Sequence, residues 1–363
     1  MRRTVAAAPG SLPAHGDSRV SVVTGAPCAF ATLAAMTISA RPWFALALAV
    51  ASCAQAAEPL HGAGATFSAP VVEAWSDAYA RASGAAVRYD PIGSGLGIEL
   101  ASRGQVDFGM TDAPLPPERL AASGLRQFPV VIGAVVPVVN IGGIAPGRLV
   151  LDAAVLSAIY RGAVTNWRDP AIAALNPSLA LPDARITVVH RADASGSTWL
   201  WSRWLSESDP AWRDQLGTGT TLAWPVGAEG LGNEGVASLV QRTRAAIGYV
   251  AFAYARQHHL SDVAVPGHDG PVVRASRASF EAAVAAAHWH APSDLAGGLT
   301  NEPGARSWPI VGASYALVPG AGDTRPVAAF FDWALAAGAP IANDLGYVAL
   351  PPEVAKLVRE TMH

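Results

Sequence analysis

Phe128-Pro-Val-Val-Ile-Gly-Ala-Val-Val-Pro-Val-Val139 decides how this 363-residue chain folds. The run is apolar throughout, but Pro129, Gly133 and Pro137 break it too often for a membrane-spanning helix. Its Val and Ile content reads as strand buried on both faces. Near the other end, Trp308-Pro-Ile-Val-Gly-Ala-Ser-Tyr-Ala-Leu-Val318 has the same character. The two runs read as strands that cross from one domain core to a second and return. Two crossings make two lobes joined by a hinge, with lobe I at residues 57–135 and 312–363 and lobe II at 136–311.

Around these runs, strands alternate with helices. Pro70 suits the first turn of a helix whose apolar residues Val71, Val72, Trp75, Ala78 and Tyr79 recur at helical spacing until Gly84. Ala86-Val-Arg-Tyr89 reads as a strand, and Gly93-Ser-Gly-Leu-Gly97 as the loop before a helix that runs through Arg103. Val106-Asp-Phe-Gly109 is a short strand that ends at Met110-Thr-Asp112, and Ile186-Thr-Val-Val189 is another, with a helix over Trp199 to Leu205 beyond it. Ala328 to Gly338 reads as the last helix, closing lobe I. The expected fold class is α/β, with two lobes of mixed or largely parallel sheet, flanked by helices and hinged by the two crossover strands.

The charge balance excludes some partners. Charged residues are 15% of the chain, the net charge is −3, Lys356 is the only lysine, and there is no basic run. A nucleic-acid or anionic-membrane surface is therefore not expected. Residues 1–35 show no period and read as a disordered leader, or as a start placed upstream of Met36. Residues 36–56 read as a signal peptide: Arg41, the apolar run Trp43 to Ala51, and the small-residue site Ala54-Gln-Ala56. Cleavage after Ala56 removes both Cys28 and Cys53, and with them any thiol, disulfide or thiolate metal site. The competing reading takes Val50-Ala-Ser-Cys53 as a lipoprotein signal, which leaves Cys53 acylated and membrane-anchored. Without residues 1–56 the basic count falls from 25 to 21 and the acidic count from 28 to 27, a net charge of −6. A bound anion must then be held by local dipoles and hydrogen bonds, not by a basic field.

Such dipoles are concentrated in Arg191-Ala-Asp-Ala-Ser-Gly-Ser-Thr198, a polar loop between a strand and a helix. A helix N-terminus presents unpaired N–H groups and accepts an anion. Arg191 adds a planar fork of donors. The same residues also fit a plain capping loop in which Arg191 pairs with Asp193. Ala65-Thr-Phe67 and Gly93-Ser-Gly95 share the character of Ser195-Gly-Ser-Thr198, each offering a hydroxyl and free N–H groups ahead of a helix. Three such loops and one guanidinium can surround a tetrahedral oxyanion. Asp112 is the odd member, because a carboxylate repels an anion unless that anion still carries a proton to donate. Phosphate near neutral pH does, and sulfate does not. The alternative for Asp112 is a turn residue before Pro114.

Motifs for chemistry are lacking. The histidines outside the leader (His61, His190, His258, His259, His268, His288, His290 and His363) form no His-Glu-x-x-His pair. There is no Gly-x-Ser-x-Gly elbow and no Gly-x-x-x-x-Gly-Lys loop. A phosphoester hydrolase would need a nucleophile with a base, or a metal cluster. No catalytic residue, metal or cofactor is expected. The nearer alternative is the same scaffold binding another oxyanion, such as sulfate or molybdate.

Several of these stretches fall in the order found in a known family. Gly62-Ala-Gly-Ala-Thr-Phe67, Val106 to Gly109 with Asp112-Ala-Pro114, Phe128-Pro129, Arg191-Ala-Asp193 with Ser195-Gly196, Trp224-Pro225 through Gly232-Asn233, Ala246-Ile-Gly-Tyr-Val250 and Asn343-Asp-Leu345 span about Leu60 to Arg359. In these the chain resembles the periplasmic phosphate-binding proteins of high-affinity phosphate ABC transporters. The resemblance implies a two-lobed protein that closes over phosphate and delivers it to transmembrane permease subunits. It implies a monomer in the periplasm with no nucleic-acid partner and no enzymatic activity. By position, it implies donors from Thr66, Phe67 and Ser94 of the first lobe, with Asp112 accepting the phosphate proton. Arg191, Ser195, Gly196 and Ser197 would bind from the second lobe, with Asp193 holding Arg191. The chain departs from the family at Ser197, where threonine is usual, and at Gly95 and Leu96, where serine and glycine are usual. The second departure is expected to remove a hydroxyl from the cleft edge or to alter the helix start.

Overall fold

The computed structural model describes residues 58–287 and 299–362. The expected leader and signal peptide, both cysteines, His288, His290 and His363 lie outside the described residues. The chain begins with β1 (Leu60–Gly64), α1 (Ala69–Ser83), β2 (Val87–Asp90), α2 (Ser94–Ser102), β3 (Phe108–Thr111), α3 (Pro117–Ser123) and β4 (Leu125–Val139). It continues through α4 (Ala153–Tyr160), α5 (Pro170–Leu175), β5 (Thr187–Arg191), α6 (Gly196–Ser208), α7 (Pro210–Gln215), β6 (Ala228–Gly230), α8 (Gly232–Arg242), β7 (Ala246–Ala251) and α9 (Phe252–Gln257). The short pieces β8 (Ser261–Asp262), β9 (Val265–Pro266), β10 (Val272–Val273), α10 (Arg277–Ala286) and β11 (Leu299–Thr300) lead to β12 (Ile310–Pro319). Then come α11 (Arg325–Ala337), α12 (Ala339–Asp344) and α13 (Pro352–Met362).

The apolar run at 128–139 lies within one strand, buried from Phe128 to Val139. From Leu125 to Ala134 it pairs antiparallel with β12, and from Val135 to Val139 with β7. The strand order β2-β1-β3-β12-β4-β7-β5-β6 therefore has two halves that share β4. β2, β1 and β3 are parallel in the first half, and β7, β5 and β6 in the second. The return strand is tied to the junction, because Trp308 Nε1 donates to the Val135 carbonyl at 3.0 Å. Pro129 is accommodated where the register slips between Ser314 and Tyr315. A bulge tolerates a residue with no N–H to give to the ladder.

Each half has its own aromatic packing. In the first, the Phe108 ring meets Phe331 edge-on at 5.1 Å and lies 6.0 Å from Phe330. In the second, Trp201 stacks on Tyr249 at 5.1 Å. Burying such side chains stabilises the fold by roughly 1.5–3 kcal/mol each. Among the described residues no helix is long and apolar enough to cross a membrane.

Three expectations about helices need correction. Ala328 to Gly338 is not the last helix, since α12 and α13 follow α11, and α13 buries Val354, Val358 and Met362. The other two lie at the polar loops. α6 begins at Gly196 and α2 at Ser94, so the loop residues are themselves the first turns. Glycine-rich and hydroxyl-rich stretches read as loop by propensity, but tertiary contacts to the opposite half hold them helical.

Candidate functional site

The turn after β1 is held by three buried tyrosines. Tyr89 donates to the Ala65 carbonyl at 2.7 Å, Tyr254 to the Thr66 carbonyl at 3.0 Å, and Tyr347 to the Phe67 carbonyl at 2.5 Å. With the carbonyls drawn back, the N–H groups of Thr66, Phe67 and Ser68 meet no acceptor among the described residues. Phe67 thus enters through its backbone. Its ring is turned into the core, edge-on to Tyr347 at 6.2 Å. Thr66 Oγ1 faces Asn233 of the other half, whose N–H and Nδ2 reach it at 3.1 and 2.9 Å.

Asp112 follows the end of β3 and is 1% exposed. Ser314 Oγ donates to its Oδ1 at 2.8 Å and lies 2.9 Å from Ser68 Oγ. Burial pushes the Asp112 carboxyl up to about 7, against the lowering effects of the Ser314 bond and the Arg191 charge. Gly196 lies directly against it. A Cβ on Gly196 would fall 2.5 Å from Asp112 Oδ2 and 2.8 Å from its backbone nitrogen.

Arg191 ends β5 and is buried. Asp193 takes its Nε at 2.8 Å and also its Nη2, so the Nη1 side of the fork is left over. Asp193 also accepts from Gly232 N at 3.0 Å. Burial works to raise the Asp193 carboxyl, but the Arg191 bonds and charge and the Gly232 N–H hold it below the ordinary range. Ser195 caps α6 by accepting from Thr198 N at 3.2 Å. Gly196 N donates to Ser94 Oγ at 3.1 Å, which joins the first turns of α2 and α6. Ser197 Oγ accepts from Asn233 Nδ2 at 3.2 Å.

The structure therefore places Thr66, the Phe67 backbone, Ser94, Asp112, Arg191, Ser195, Gly196 and Ser197 around one buried locus, with Asp193 behind Arg191. The capping-loop and ion-pair readings of 191–198 also hold, since the same residues do both. A cavity of about 310 Å³ beside α4 and β5, lined by residues such as Ile159, Thr187 and Val226, contains none of them.

Sequence reading gave no role to four groups beside the locus, although Asn233 and Tyr249 stand in the stretches quoted for the resemblance. Ser314 is the one aliphatic hydroxyl in the apolar run Trp308 to Val318, and that isolation was its only signal. Asn233 lies in the first turn of α8, directly after Gly232. Tyr249 and Tyr254 are buried, and Tyr249 OH lies 2.7 Å from Thr198 Oγ1. The Gly95 departure also looks different in three dimensions. Gly95 N donates to the Ala194 carbonyl at 3.0 Å, and a Cβ on Gly95 would fall 2.5 Å from Ala194 Cβ. A serine here would press on Ala194. Leu96 is half exposed.

A family model described as a PBP superfamily domain matches residues 49–337. The phosphate-binding protein PstS of Haemophilus influenzae is 41% identical over 323 residues, covering 88% of this chain and 96% of that protein. The phosphate-binding protein PstS of Xylella fastidiosa (strain Temecula1) is 42% identical over 303 residues, 82% of this chain and 83% of that one. A crystal structure of a phosphate binding protein from Stenotrophomonas maltophilia shares the fold with a TM-score of 0.62 at 19% identity, over 84% of this chain and 94% of that one. With a family model over most of its length and relatives above 40% identity, the chain belongs to the PBP superfamily and, within it, to the family of PstS phosphate-binding proteins.

Proposed function

We propose that this protein binds inorganic phosphate between its two half-sheets and hands it to the permease of a phosphate ABC transporter. The observation that carries the reading is Asp112, a buried carboxylate facing the N–H groups, hydroxyls and guanidinium of an anion site. A donor-only ring suits any oxyanion. A ring of donors around one acceptor suits an oxyanion that keeps a proton. Thr66, Phe67, Ser94, Arg191, Ser195 and Ser197 donate to phosphate oxygens, Gly196 joins them by exchanging its N–H bond to Ser94 Oγ for one to the ligand, and Asp112 in its ionised form takes the phosphate O–H. Asp193 holds the guanidinium plane in place.

The shared strand β4 and the return strand β12 form the hinge. On this reading lobe I is residues 57–135 with 312–363, lobe II is 136–311, and closure brings Gly196 onto Asp112. The ligand is bound and released without chemistry. The protein works as a monomer in the periplasm, exported by the segment 36–56, with lipid attachment at Cys53 as the alternative. The test is calorimetric titration of purified protein with phosphate and with sulfate, on wild type and Asp112→Asn. Tight phosphate binding with sulfate excluded is expected, and Asp112→Asn should narrow the gap. Sulfate binding as tight as phosphate binding by the wild type would overturn the reading.

A further inference from the structure

Asn233 is fully buried at the first turn of α8, and its amide has no freedom of orientation. Its Oδ1 accepts from Ala251 N at 2.7 Å. The Nδ2 group is thereby aimed the other way, at Thr66 Oγ1 and Ser197 Oγ, 2.9 and 3.2 Å distant. Asn233 N–H adds a second bond to Thr66 Oγ1 at 3.1 Å. A hydroxyl has one proton and two lone pairs. Both lone pairs of Thr66 Oγ1 are taken by Asn233, so its proton can only be given away. Ser197 Oγ has one lone pair taken. Neither hydroxyl proton meets an acceptor among the described residues.

From this we infer that Asn233 is a positioning residue that fixes the polarity of the site. It compels the Thr66 hydroxyl to act as a donor and turns the Ser197 hydroxyl proton away from Asn233, so that an anion meets protons and not lone pairs. The inference rests on the phosphate reading above. It also makes closure and donor orientation one event. Thr66 follows β1 in the first half, while Ser197, Asn233 and Ala251 lie in the second, so the hydroxyl is oriented only when the halves meet.

The test uses the full chain and inorganic phosphate in titration calorimetry, with thermal melts to confirm folding. Asn233→Asp replaces the donor pair with an acceptor that draws the same protons away from the ligand. It should weaken phosphate binding by ~100-fold or more, the scale of losing two hydrogen bonds to a charged group. Asn233→Ala should cost ~10-fold, since it orients nothing but repels nothing. The loss from Asn233→Ala should largely vanish when Thr66→Val and Ser197→Ala are already present, because Asn233 then has no hydroxyl to orient. Equal loss in both backgrounds would show a general packing role and overturn the inference. So would wild-type affinity in Asn233→Asp. If Asn233→Asp fails to fold, the Asn233→Ala comparison decides alone. Failure of the wild type to bind phosphate would instead strike the functional reading itself.

Discussion

Gly196 shows how closely single residues are set here. Its φ is ordinary, so the need for glycine is spatial and comes from Asp112 across the cleft. Gly196→Ala puts a methyl against a backbone nitrogen that has little room to move. Overpacking of this kind costs about 1–3 kcal/mol, which corresponds to ~5–150-fold in affinity. We expect weaker phosphate binding by calorimetry with little change in the melting temperature of the ligand-free protein, since the contact lies between the halves. Affinity equal to wild type would mean the halves do not meet at this point. Asp112, Arg191 and Asp193 were legible as residues because their chemistry is unusual for their surroundings. Ser314, Asn233, Tyr249 and Tyr254 were not, because a lone serine in a strand, an asparagine at a helix start and a buried tyrosine have commonplace explanations. What gives them meaning is a partner 51 to 202 positions away, and sequence does not display partners.

Helix α2 makes the corresponding point for an element. Its face toward β1 and β3 is glycine because the backbones come into contact. A Cβ on Gly97 would lie 2.5 Å from Gly64 Cα and 2.9 Å from the carbonyl oxygens of Ala63 and Met110. None of these is a flexible side-chain end. Gly97→Ala should therefore destabilise the fold by about 1–3 kcal/mol, lowering the melting temperature by ~2 °C per kcal/mol for a chain of this size. An unchanged melt would show that α2 can slide. Elements with a clear apolar period or run, such as α1, β4 and β12, were readable with boundaries close to those observed. α2 and α6 were displaced in the reading by several residues. Gly and Ser weaken helix propensity, and the Ser195 cap on Thr198 N together with the contacts Gly196 N to Ser94 Oγ and Gly95 N to the Ala194 carbonyl hold these first turns helical.

At the scale of the molecule, the buried carboxyl of Asp112 links stability to pH. Its acid strength is weakened from an ordinary 3.8 to about 7. Between these values the folded protein holds a proton that the unfolded chain has lost. The resulting stability is fully present below pH ~4 and disappears as pH rises through about 7. In phosphate-free buffer, the melting temperature of wild type minus that of Asp112→Asn should therefore fall from pH 4 to 8. A difference that rises or stays flat would show that Asp112 is ionised throughout. The chain by itself determined the alternation of strand and helix and the two long apolar strands, since hydrophobic period is a local property. Only the tertiary structure decided that β4 serves both half-sheets, that Gly196 rests on Asp112, and that Asn233 bonds two distant hydroxyls. Those facts depend on close packing and hydrogen-bond direction between segments far apart in the chain, and both come into being only when the segments meet.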